Sequence, residues 1–348
     1  MAIEIIGTGR AVPSRRVSND ELASSIDTSD EWIRSHTGIG SRYIADGDTA
    51  VSDLATEAAK NALAMAAGYA GGDNAERDRA AAEEAKSIGA IVLGTCTSDY
   101  VGTPSTACIV QHRLGATGAW AMDVTAACTG FICALETAAG LMERSRTYTR
   151  ALVIGAEVLS KVMDWSDRGT CVLFGDGAGA AVLEATDAPS KGQDRRGLVR
   201  TTLTADGSGA GSLLFRRGGS RNPFKAGETV EKGIHVEMNG QEVYNFAVKA
   251  VTDTIGELMR DEGIAADDLA WIVPHQANAR IIQAAGKRLK LPLEKFFLNI
   301  EEYANTSAAS IPIALDEMNR EGKIARGDLI MTVGFGGGLT YGGNVIVW

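Results

Sequence analysis

Residues 120–142, with the sequence WAMDVTAACTGFICALETAAGLM, decide the fold class of this chain. The apolar run Trp120–Val124 has the length of a buried strand. Small residues follow it, and the segment from Cys128 to Met142 then has the apolar spacing of an α-helix. A strand that leads directly into a helix is typical of α/β proteins, in which helices cover mostly buried sheets.

The same alternation of strands and helices continues along the chain. Further strands are predicted at short apolar runs and further helices at periodic runs, namely strands at residues 3–6, 91–93, 152–154 and 182–183 and helices at residues 51–69 and 104–114. The sequence therefore predicts an α/β architecture with mostly buried sheets throughout.

A weak internal repeat accompanies this alternation. Residues 90–94 (AIVLG) resemble residues 270–274 (AWIVP), which lie 180 residues further along, and neighbouring segments match in the same order. Repeats of this kind indicate a duplicated structural unit. The sequence therefore predicts two similar α/β halves, residues 1–185 and 190–348.

Residues 204–229 interrupt the pattern. They are rich in glycine, serine and arginine and show neither helical nor strand periodicity. Such composition predicts a long surface excursion between the two halves.

Composition and charge exclude several classes of protein. The 348 residues suffice for about two domains, and 34 Lys and Arg against 44 Asp and Glu give a net charge of −10. This acidity argues against binding to nucleic acid or to an anionic membrane. The chain has no apolar run long enough to span a bilayer, and its start, MAIEIIGTGRAVP, is not a signal peptide, so we expect a cytoplasmic protein.

Cysteine and histidine are too sparse to form a disulfide framework or a zinc site. The chain has five cysteines and four histidines, without a C-x-x-C pair or a zinc-like spacing. We therefore expect no metal site and no disulfide framework. Any cysteine or histidine with a function is expected to act singly.

Cys128 is the candidate nucleophile. It follows a predicted strand and precedes a predicted helix, so it is expected to lie at the helix N-terminus, where free N–H groups favour an anion. This position is expected to lower the pKa of the thiol and to favour the nucleophilic thiolate. The alternative from this segment alone is a small buried cysteine without a catalytic role.

Three further segments place polar or small residues after predicted strands or at a helix start. His275 follows the strand-like run 271–274, and functional side chains gather where the strands of an α/β sheet end. Asn305 begins a run of small polar residues that exceeds the needs of one helix cap. Gly334 begins a glycine loop whose N–H groups can face a developing oxyanion.

Together these segments resemble β-ketoacyl-acyl-carrier-protein synthase III, the initiating ketosynthase of type II fatty-acid synthesis. The motifs that carry the resemblance are DVTAACTGF around Cys128, HQANARII from His275, NTSAASIP from Asn305, GFGGGLTYGG from Gly334, DEWIRSHTGI near the start and DRGTCVLFGDGAGAAVLE from Asp167. The resemblance runs nearly end to end. It implies a thiolase-like duplicated five-layer α-β-α-β-α fold and a homodimer.

The resemblance implies a catalytic triad of Cys128, His275 and Asn305. Cys128 would take the acyl group of an acyl-CoA as a thioester, with the N–H groups of Cys128 and Gly337 as the oxyanion hole. His275 Nε2 and the Asn305 amide would then donate hydrogen bonds to the thioester carbonyl of malonyl-acyl-carrier protein while CO₂ departs. The resulting carbanion would attack the acyl group, so no metal or redox cofactor is expected.

The resemblance also implies the CoA contacts. The matching positions are Trp32, Arg168, Asn278 and Arg280. This chain has His36 where the family often has arginine, and an imidazole stacks on adenine with less charge. His36 is therefore expected to weaken the contact with the adenine end of CoA.

Thr103 is the expected determinant of acyl selectivity. Short-acyl-specific relatives often carry phenylalanine at this position, where it closes the acyl pocket, sometimes across the dimer interface. The smaller threonine predicts a deeper pocket that accepts acyl chains longer than acetyl or branched chains.

The carrier protein is acidic, so a basic patch is expected to bind it. The helix after His275 carries such a cluster, formed by Arg280, Lys287, Arg288 and Lys290. The alternative for these residues is an ordinary solvated helix face.

Two other functions remain open from the sequence. One is a related enzyme with the same triad, such as a starter-unit ketosynthase or an acyltransferase of polyketide or quinolone biosynthesis. The other is a non-catalytic thiolase-fold partner subunit. Retention of Cys128, His275 and Asn305 argues against the latter.

Overall fold

The computed structural model describes residues 1–69, 71–145, 147–192, 194–229 and 233–348. In chain order its strands are β1 (Ala2–Ala11), β2 (Arg15–Ser18), β3 (Ser41–Ile44), β4 (Ala90–Gly94), β5 (Trp120–Val124), β6 (Arg150–Glu157), β7 (Gly177–Thr186), β8 (Gly197–Ala205), β9 (Leu213–Phe215), β10 (Val236–Met238), β11 (Trp271–Pro274), β12 (Leu329–Gly336) and β13 (Thr340–Val347). Its α-helices are α1 (Asn19–Ala23), α2 (Asp30–Thr37), α3 (Val51–Ala66), α4 (Asn74–Ala85), α5 (Thr106–Leu114), α6 (Gly130–Ser145), α7 (Gly240–Glu262), α8 (Ala279–Leu289), α9 (Ile300–Tyr303) and α10 (Ser310–Arg320).

The first large sheet has the strand order β1-β7-β6-β4-β5. Strand β4 pairs in parallel with β5 and β6, while β7 pairs antiparallel with β1 and β6. Every residue of β4 is buried, as expected for a central strand covered by helices on both faces.

The second large sheet repeats this order as β8-β13-β12-β11. Strands β8, β13, β12 and β11 take the places of β1, β7, β6 and β4, with the same parallel and antiparallel sense. A bridge between Ile272 and Phe296 stands where the first sheet has β5. The duplication expected from the weak repeat is therefore confirmed.

The helices and sheets form five layers. Helices α3 and α5 cover the outer face of the first sheet, and α7 and α8 cover the outer face of the second. Helices α6 and α10 lie between the sheets, in a core that both halves share. The predicted α-β-α-β-α arrangement is confirmed. The predicted division at residues 185–190 begins at the end of β7 and stays a prediction, since each half has an outer core of its own but shares the central one.

Close backbone approach at the centre requires glycine. A Cβ atom on Gly155 of β6 would lie 2.1 Å from the carbonyl oxygen of Ala308, just before α10. A Cβ atom on Gly94 of β4 would lie 2.5 Å from the carbonyl carbon of Gly130, at the start of α6. Glycine at these positions lets the starts of both central helices contact the first sheet directly.

Two helix starts differ from the expected ones. Helix α6 begins at Gly130 instead of Cys128, because residues 127–129 form a 3₁₀ turn in which Ala127 has a φ of 45°. Helix α5 begins at Thr106, after the N-cap Ser105. The start of a helix depends on the residue that caps it, and apolar periodicity carries no information about that residue.

The expectation that residues 204–229 lack regular structure is wrong in part. The first two residues complete β8, and Leu213–Phe215 form β9, which pairs antiparallel with β10. The side chains of β9 turn inward and line a cavity beside Cys128. A three-residue strand is too short to show periodicity, so tertiary burial decides its structure.

Neither a membrane-crossing helix nor a metal-binding cluster occurs in the described residues. No helix there combines the length and apolar content needed to cross a bilayer. The same residues hold no group of three or more His, Cys, Asp or Glu side chains arranged to bind a metal ion.

Candidate active site

Cys128 lies between β5 and α6 at the wall of a cavity of about 290 Å³. Its side chain is 7% exposed. The cavity is mainly apolar, and its lining includes Leu159, Phe174, Leu213, Leu214, Phe215 and Val236. A nucleophile in such a cavity can hold an apolar acyl group away from water.

Two backbone N–H groups beside the thiol are free. Among the described residues, no backbone carbonyl accepts from the N–H of Cys128 or of Gly337, and the N–H of Cys128 faces its own thiol. The end of β12 packs directly on Cys128, since a Cβ atom on Gly336 would lie 2.8 Å from that of Cys128. Two free donors beside a nucleophile are the arrangement that stabilises an oxyanion.

The expectation of a lowered thiol pKa is wrong for the unliganded chain. Burial raises the pKa of Cys128 to about 12, and hydrogen bonding from Ser307 opposes this only in part. The helix start still favours an anion, but desolvation of the thiolate in an apolar cavity outweighs it. Cys128 therefore rests as a thiol and must lose its proton when it attacks.

His275 follows β11 and is 1% exposed. Its Nδ1 lies 2.7 Å from Oγ of Ser310, and its ring meets the edge of Phe335. Burial lowers the pKa of His275 to about 3, so the imidazole is neutral.

The Ser310 hydroxyl decides the tautomer of His275. The Ser310 Oγ atom also lies 2.9 Å from the carbonyl oxygen of Ser307, and its single proton serves one of these two acceptors. When Ser310 donates to Nδ1, the His275 proton resides on Nε2, which is then a donor. Use of Nε2 as a donor therefore requires this orientation of Ser310.

Asn305 is held by its backbone on both sides. Its N–H donates to the carbonyl of Leu173 and its carbonyl accepts from Gly175 N–H, at 2.9 and 3.0 Å. Its side-chain Oδ1 accepts from the N–H of Ser307 at 2.8 Å. This bond orients the amide so that its NH₂ group remains as a donor.

The turn at residues 307–309, just before α10, connects the three groups. The Ser307 N–H orients Asn305, the Ser307 carbonyl accepts from the hydroxyl of Ser310, which contacts His275, and Ser307 lines the same cavity as Cys128. Ser307 has a φ of 48°. The structure thus connects His275 and Asn305 to the turn at residues 307–309, which packs against the turn that carries Cys128.

Sequence reasoning missed two residues here. Glu157 is fully buried, and its carboxylate accepts from the Ser307 hydroxyl at 3.2 Å. A single carboxylate in the apolar run 151–159 is a signal that could have identified it, since buried charges are rare without a partner. Ser307 belongs to the motif NTSAASIP, but nothing in the sequence distinguishes it from its small neighbours.

Comparison with known proteins places the chain in a family. Two models match, described as "3-Oxoacyl-[acyl-carrier-protein (ACP)] synthase III" over residues 122–207 and its C-terminal part over residues 259–348. The β-ketoacyl-[acyl-carrier-protein] synthase III of Clostridium acetobutylicum is 45% identical over 100% of this chain and 99% of that protein.

Solved structures agree with this match. The 3-oxoacyl-[acyl-carrier-protein] synthase III of Aquifex aeolicus VF5 is 40% identical, with a TM-score of 0.84 and complete coverage of both chains. The priming β-ketosynthase of the R1128 polyketide biosynthetic pathway is 34% identical, with a TM-score of 0.85 over 99% of this chain and 96% of that one.

The chain belongs to the 3-oxoacyl-[acyl-carrier-protein] synthase III family. The resemblance inferred from the motifs is thereby confirmed, and so are the thiolase-like fold and the assignment to the condensing enzymes of the acyltransferase class.

Four of the five predicted CoA-contacting residues of this synthase form one surface cluster. The rings of Trp32 and His36 stack with centroids 4.4 Å apart, and the Arg168 guanidinium lies 5.6 Å from the centroid of Trp32. Asn278 caps α8 and donates to the carbonyl of His36 at 3.1 Å. Arg280 is exposed on the first turn of the same helix.

The predicted docking residues lie on and just beyond α8 in this synthase. Arg280 and Lys287 are two turns apart on nearly one face, Arg288 is adjacent, and Lys290 follows the helix end. All four are exposed, and the described residues form no ion pair with any of them. Their charge is therefore available to a partner.

Thr103 is not part of the cavity within one chain. It is exposed on the segment between β4 and α5, and it is absent from the lining around Cys128. Within one chain, β9, β10 and the segment around Phe174 close the acyl cavity instead. Influence of Thr103 on acyl selectivity would require a second chain.

Proposed function

We propose that this synthase condenses an acyl-CoA with malonyl-acyl-carrier protein to give 3-oxoacyl-carrier protein, with acyl-Cys128 as the intermediate. The observation that carries the proposal is the position of Cys128 in the wall of an apolar cavity that Ser307 also lines, since Ser307 orients Asn305 and its carbonyl accepts from the serine that contacts His275. This places a nucleophile, an oxyanion hole and two neutral donors around one turn.

In the first half-reaction Cys128 attacks the acyl-CoA thioester. The N–H groups of Cys128 and Gly337 donate hydrogen bonds to the carbonyl oxygen as negative charge develops on it. Collapse of the tetrahedral intermediate breaks the bond to sulfur of CoA, which leaves as a thiol with the proton that Cys128 lost. The acyl group then occupies the apolar cavity.

In the second half-reaction the malonyl thioester takes the place of CoA. Nε2 of His275 and the NH₂ group of Asn305 donate to its thioester carbonyl and stabilise the enolate that forms as CO₂ leaves. The enolate carbon attacks the carbonyl carbon of acyl-Cys128, the bond between that carbon and sulfur breaks, and the released Cys128 thiolate takes a proton from solvent. The loss of CO₂ generates the carbanion, so this sequence requires neither a metal nor a redox cofactor.

The direct test is intact mass spectrometry after incubation with acyl-CoAs of different lengths and branching. We expect one acyl adduct per chain, mapped to Cys128, and formation of a 3-oxoacyl product when malonyl-carrier protein is added. An adduct on another residue, or an adduct that is never condensed, would contradict the proposal. A strict preference for acetyl-CoA would contradict the deeper pocket predicted from Thr103.

Priming of polyketide synthesis is a second candidate, favoured by the 34% identity to the R1128 priming ketosynthase. Both functions use the same triad, so the cavity geometry does not separate them. Comparison of carrier proteins from the two kinds of pathway as malonyl donors would distinguish them.

The cluster around Trp32 predicts the binding mode of the CoA nucleotide. Trp32→Ala removes both the stack with His36 and the contact with Arg168, which together are worth about 1 kcal/mol. We expect the KM for acyl-CoA to rise about fivefold with kcat nearly unchanged. An acyl-N-acetylcysteamine thioester, which lacks the nucleotide, is the control: its KM should not change.

We also propose that α8 binds the acidic carrier protein through Arg280, Lys287, Arg288 and Lys290. The free charge on this face, on a chain with a net charge of −10, supports a local docking patch. Lys287→Glu should raise the KM for malonyl-carrier protein at low salt, and the effect should vanish at high salt. Lys86→Glu, an equivalent change on the opposite outer face, is the control.

The expected homodimer is supported by the edge of the first sheet. Strand β5 is an edge strand, and Trp120 at its start is 57% exposed. Tyr100 and Val101, which precede Thr103 closely in sequence, are 57% and 83% exposed. An uncovered edge with apolar neighbours favours pairing with a second copy. Sedimentation analysis of the mass in solution tests whether the protein is a dimer.

We also propose a cytoplasmic location for the protein.

A further inference from the structure

Glu157, at the end of β6, is a buried carboxylate for which the proposed chemistry has no use so far. It is 0% exposed, and no lysine or arginine among the described residues pairs with it. A buried charge without a counterion costs several kcal/mol unless hydrogen bonds compensate. Its position beside the active site therefore calls for a functional reason.

Donors surround this carboxylate on every side. Oε2 accepts from the hydroxyls of Thr95 and Thr97, and both carboxylate oxygens accept from the N–H of Cys96. Oε1 also accepts from the thiol of Cys96 at 3.3 Å and from the hydroxyl of Ser307 at 3.2 Å. These donors favour the carboxylate form, but burial outweighs them and raises the pKa of Glu157, so this group accepts a proton more readily than an exposed carboxylate does.

Ser307 lies between this carboxylate and the nucleophile. Ser307 lines the same cavity as Cys128, on a turn that packs against the turn carrying Cys128, and its hydroxyl donates to Glu157 Oε1 at 3.2 Å. The close packing of Gly155 against Ala308 sets the spacing between β6 and the turn that carries Ser307. The connection is thus built into the contact between the two halves.

The thiol needs such an acceptor. Burial raises the pKa of Cys128 to about 12, so a free thiolate is scarce at neutral pH. Nδ1 of His275 is occupied by Ser310, and the proposed role of its Nε2 is that of a donor. The titratable groups near Glu157 are the thiols of Cys96 and Cys128. His275 is more distant, since it contacts Ser310, whose hydroxyl lies 2.9 Å from the carbonyl oxygen of Ser307.

We propose that Glu157 receives the proton of Cys128 through the hydroxyl of Ser307 during attack on the acyl thioester. The thiol proton passes to Ser307 Oγ while the hydroxyl proton passes to Glu157 Oε1, and the sulfur forms its bond to the acyl carbon. When the intermediate collapses, the leaving CoA thiolate takes a proton and Glu157 returns to the carboxylate form. The acyl-transfer step rests on the proposed function, whereas the proton path to the thiol does not.

The test compares Ser307→Ala, Glu157→Gln and their combination in two assays. The first is the single-turnover rate of Cys128 acylation by acyl-CoA from pH 6 to 10. The second is the rate of Cys128 alkylation by iodoacetamide, which reports the thiol without any acyl substrate. Ser160→Ala is the matched control, because Ser160 is also a buried serine that donates to a buried carboxylate, that of Asp176.

We expect acylation at pH 7 to fall about 10²-fold in Ser307→Ala and in Glu157→Gln, and no further in the double variant. The deficit should shrink as the pH rises, because hydroxide then removes the proton without the relay. A merely structural defect would slow the reaction equally at every pH. Ser160→Ala should retain the rate and the pH profile of the parent protein.

Alkylation of Glu157→Gln separates the relay from simple electrostatics. The charge of Glu157 raises the pKa of the Cys128 thiol, so removing that charge alone would speed alkylation. The relay predicts slower alkylation instead.

Unchanged rates in Ser307→Ala, or faster alkylation in Glu157→Gln, would overturn the proposal. If Glu157→Gln does not fold, Ser307→Ala decides. If the parent protein takes no acyl group, the proposed function fails, and the alkylation arm still decides the relay.

Discussion

Replacement of Cys128 by alanine is expected to abolish acyl transfer and to lower condensation by at least about 10⁴-fold. Of the residues that line the cavity, Cys96 is the other thiol, but burial and the adjacent Glu157 raise its pKa well above the usual value. The N–H and the thiol of Cys96 both donate to Glu157, so Cys96 offers no free N–H to an oxyanion and is not expected to replace the nucleophile. The measurement is intact mass after incubation with acyl-CoA, together with product formation from malonyl-carrier protein.

The same variant should still decarboxylate malonyl-carrier protein. The hydrogen bonds that hold His275 and Asn305 involve Ser310, Ser307 and backbone groups, none of which depends on the sulfur. Cys108→Ala, which removes an exposed thiol outside the cavity, is the control and should retain acyl transfer. An acyl adduct on the Cys128→Ala protein would show that the nucleophile lies elsewhere.

Replacement of His275 by alanine is expected to have the opposite pattern. Decarboxylation should fall on the order of 10²- to 10³-fold, as for loss of one oxyanion-type donor, while Cys128 is acylated at nearly the parent rate. The reason is that the donor atoms of His275 serve the malonyl carbonyl, whereas the acyl carbonyl is held by backbone N–H groups. Asn305→Ala should follow the same pattern.

The pH dependence checks the charge of His275. Because its pKa is lowered to about 3, the imidazole stays neutral above that value, and decarboxylation in the parent protein should show no titration between pH 5 and 8. A step near pH 6.5 would contradict a neutral donor. The control variant is His112→Ala, which changes an exposed histidine on α5 and should leave both half-reactions intact. Loss of acylation in His275→Ala would also contradict the assignment of His275 to the malonyl half-reaction alone.

Much of the fold was predictable because its signals are local. Apolar runs and helical spacing identified the strands at Trp120–Val124 and at residues 91–93 and the helix after Cys128, since burial periodicity is recorded in neighbouring residues. The predicted boundaries of the elements are less accurate. Cys128 lies in the 3₁₀ turn that immediately precedes α6, and Leu213–Phe215 form a strand within a segment that lacks periodicity.

The candidate site divides in the same way. The segments that carry Cys128, His275 and Asn305 were recognisable, because each combines a reactive or polar residue with small neighbours at a strand end or helix start. Glu157 and Ser307 were not recognised, since their significance arises from a bond between residues 150 positions apart. The placement of Thr103 likewise depends on contacts that its neighbours in sequence do not report.

The sequence alone determined which reactive residues are present, the order of strands and helices, and the small residues that allow close backbone contact at Cys128. Only the tertiary structure decided that this thiol rests protonated, that His275 is neutral, and that a buried carboxylate adjoins them through Ser307. The physical reason is that secondary structure follows from neighbouring side chains. The free energy of a charge, in contrast, depends on every dipole and every water molecule around it, and folding brings most of those dipoles from distant parts of the chain.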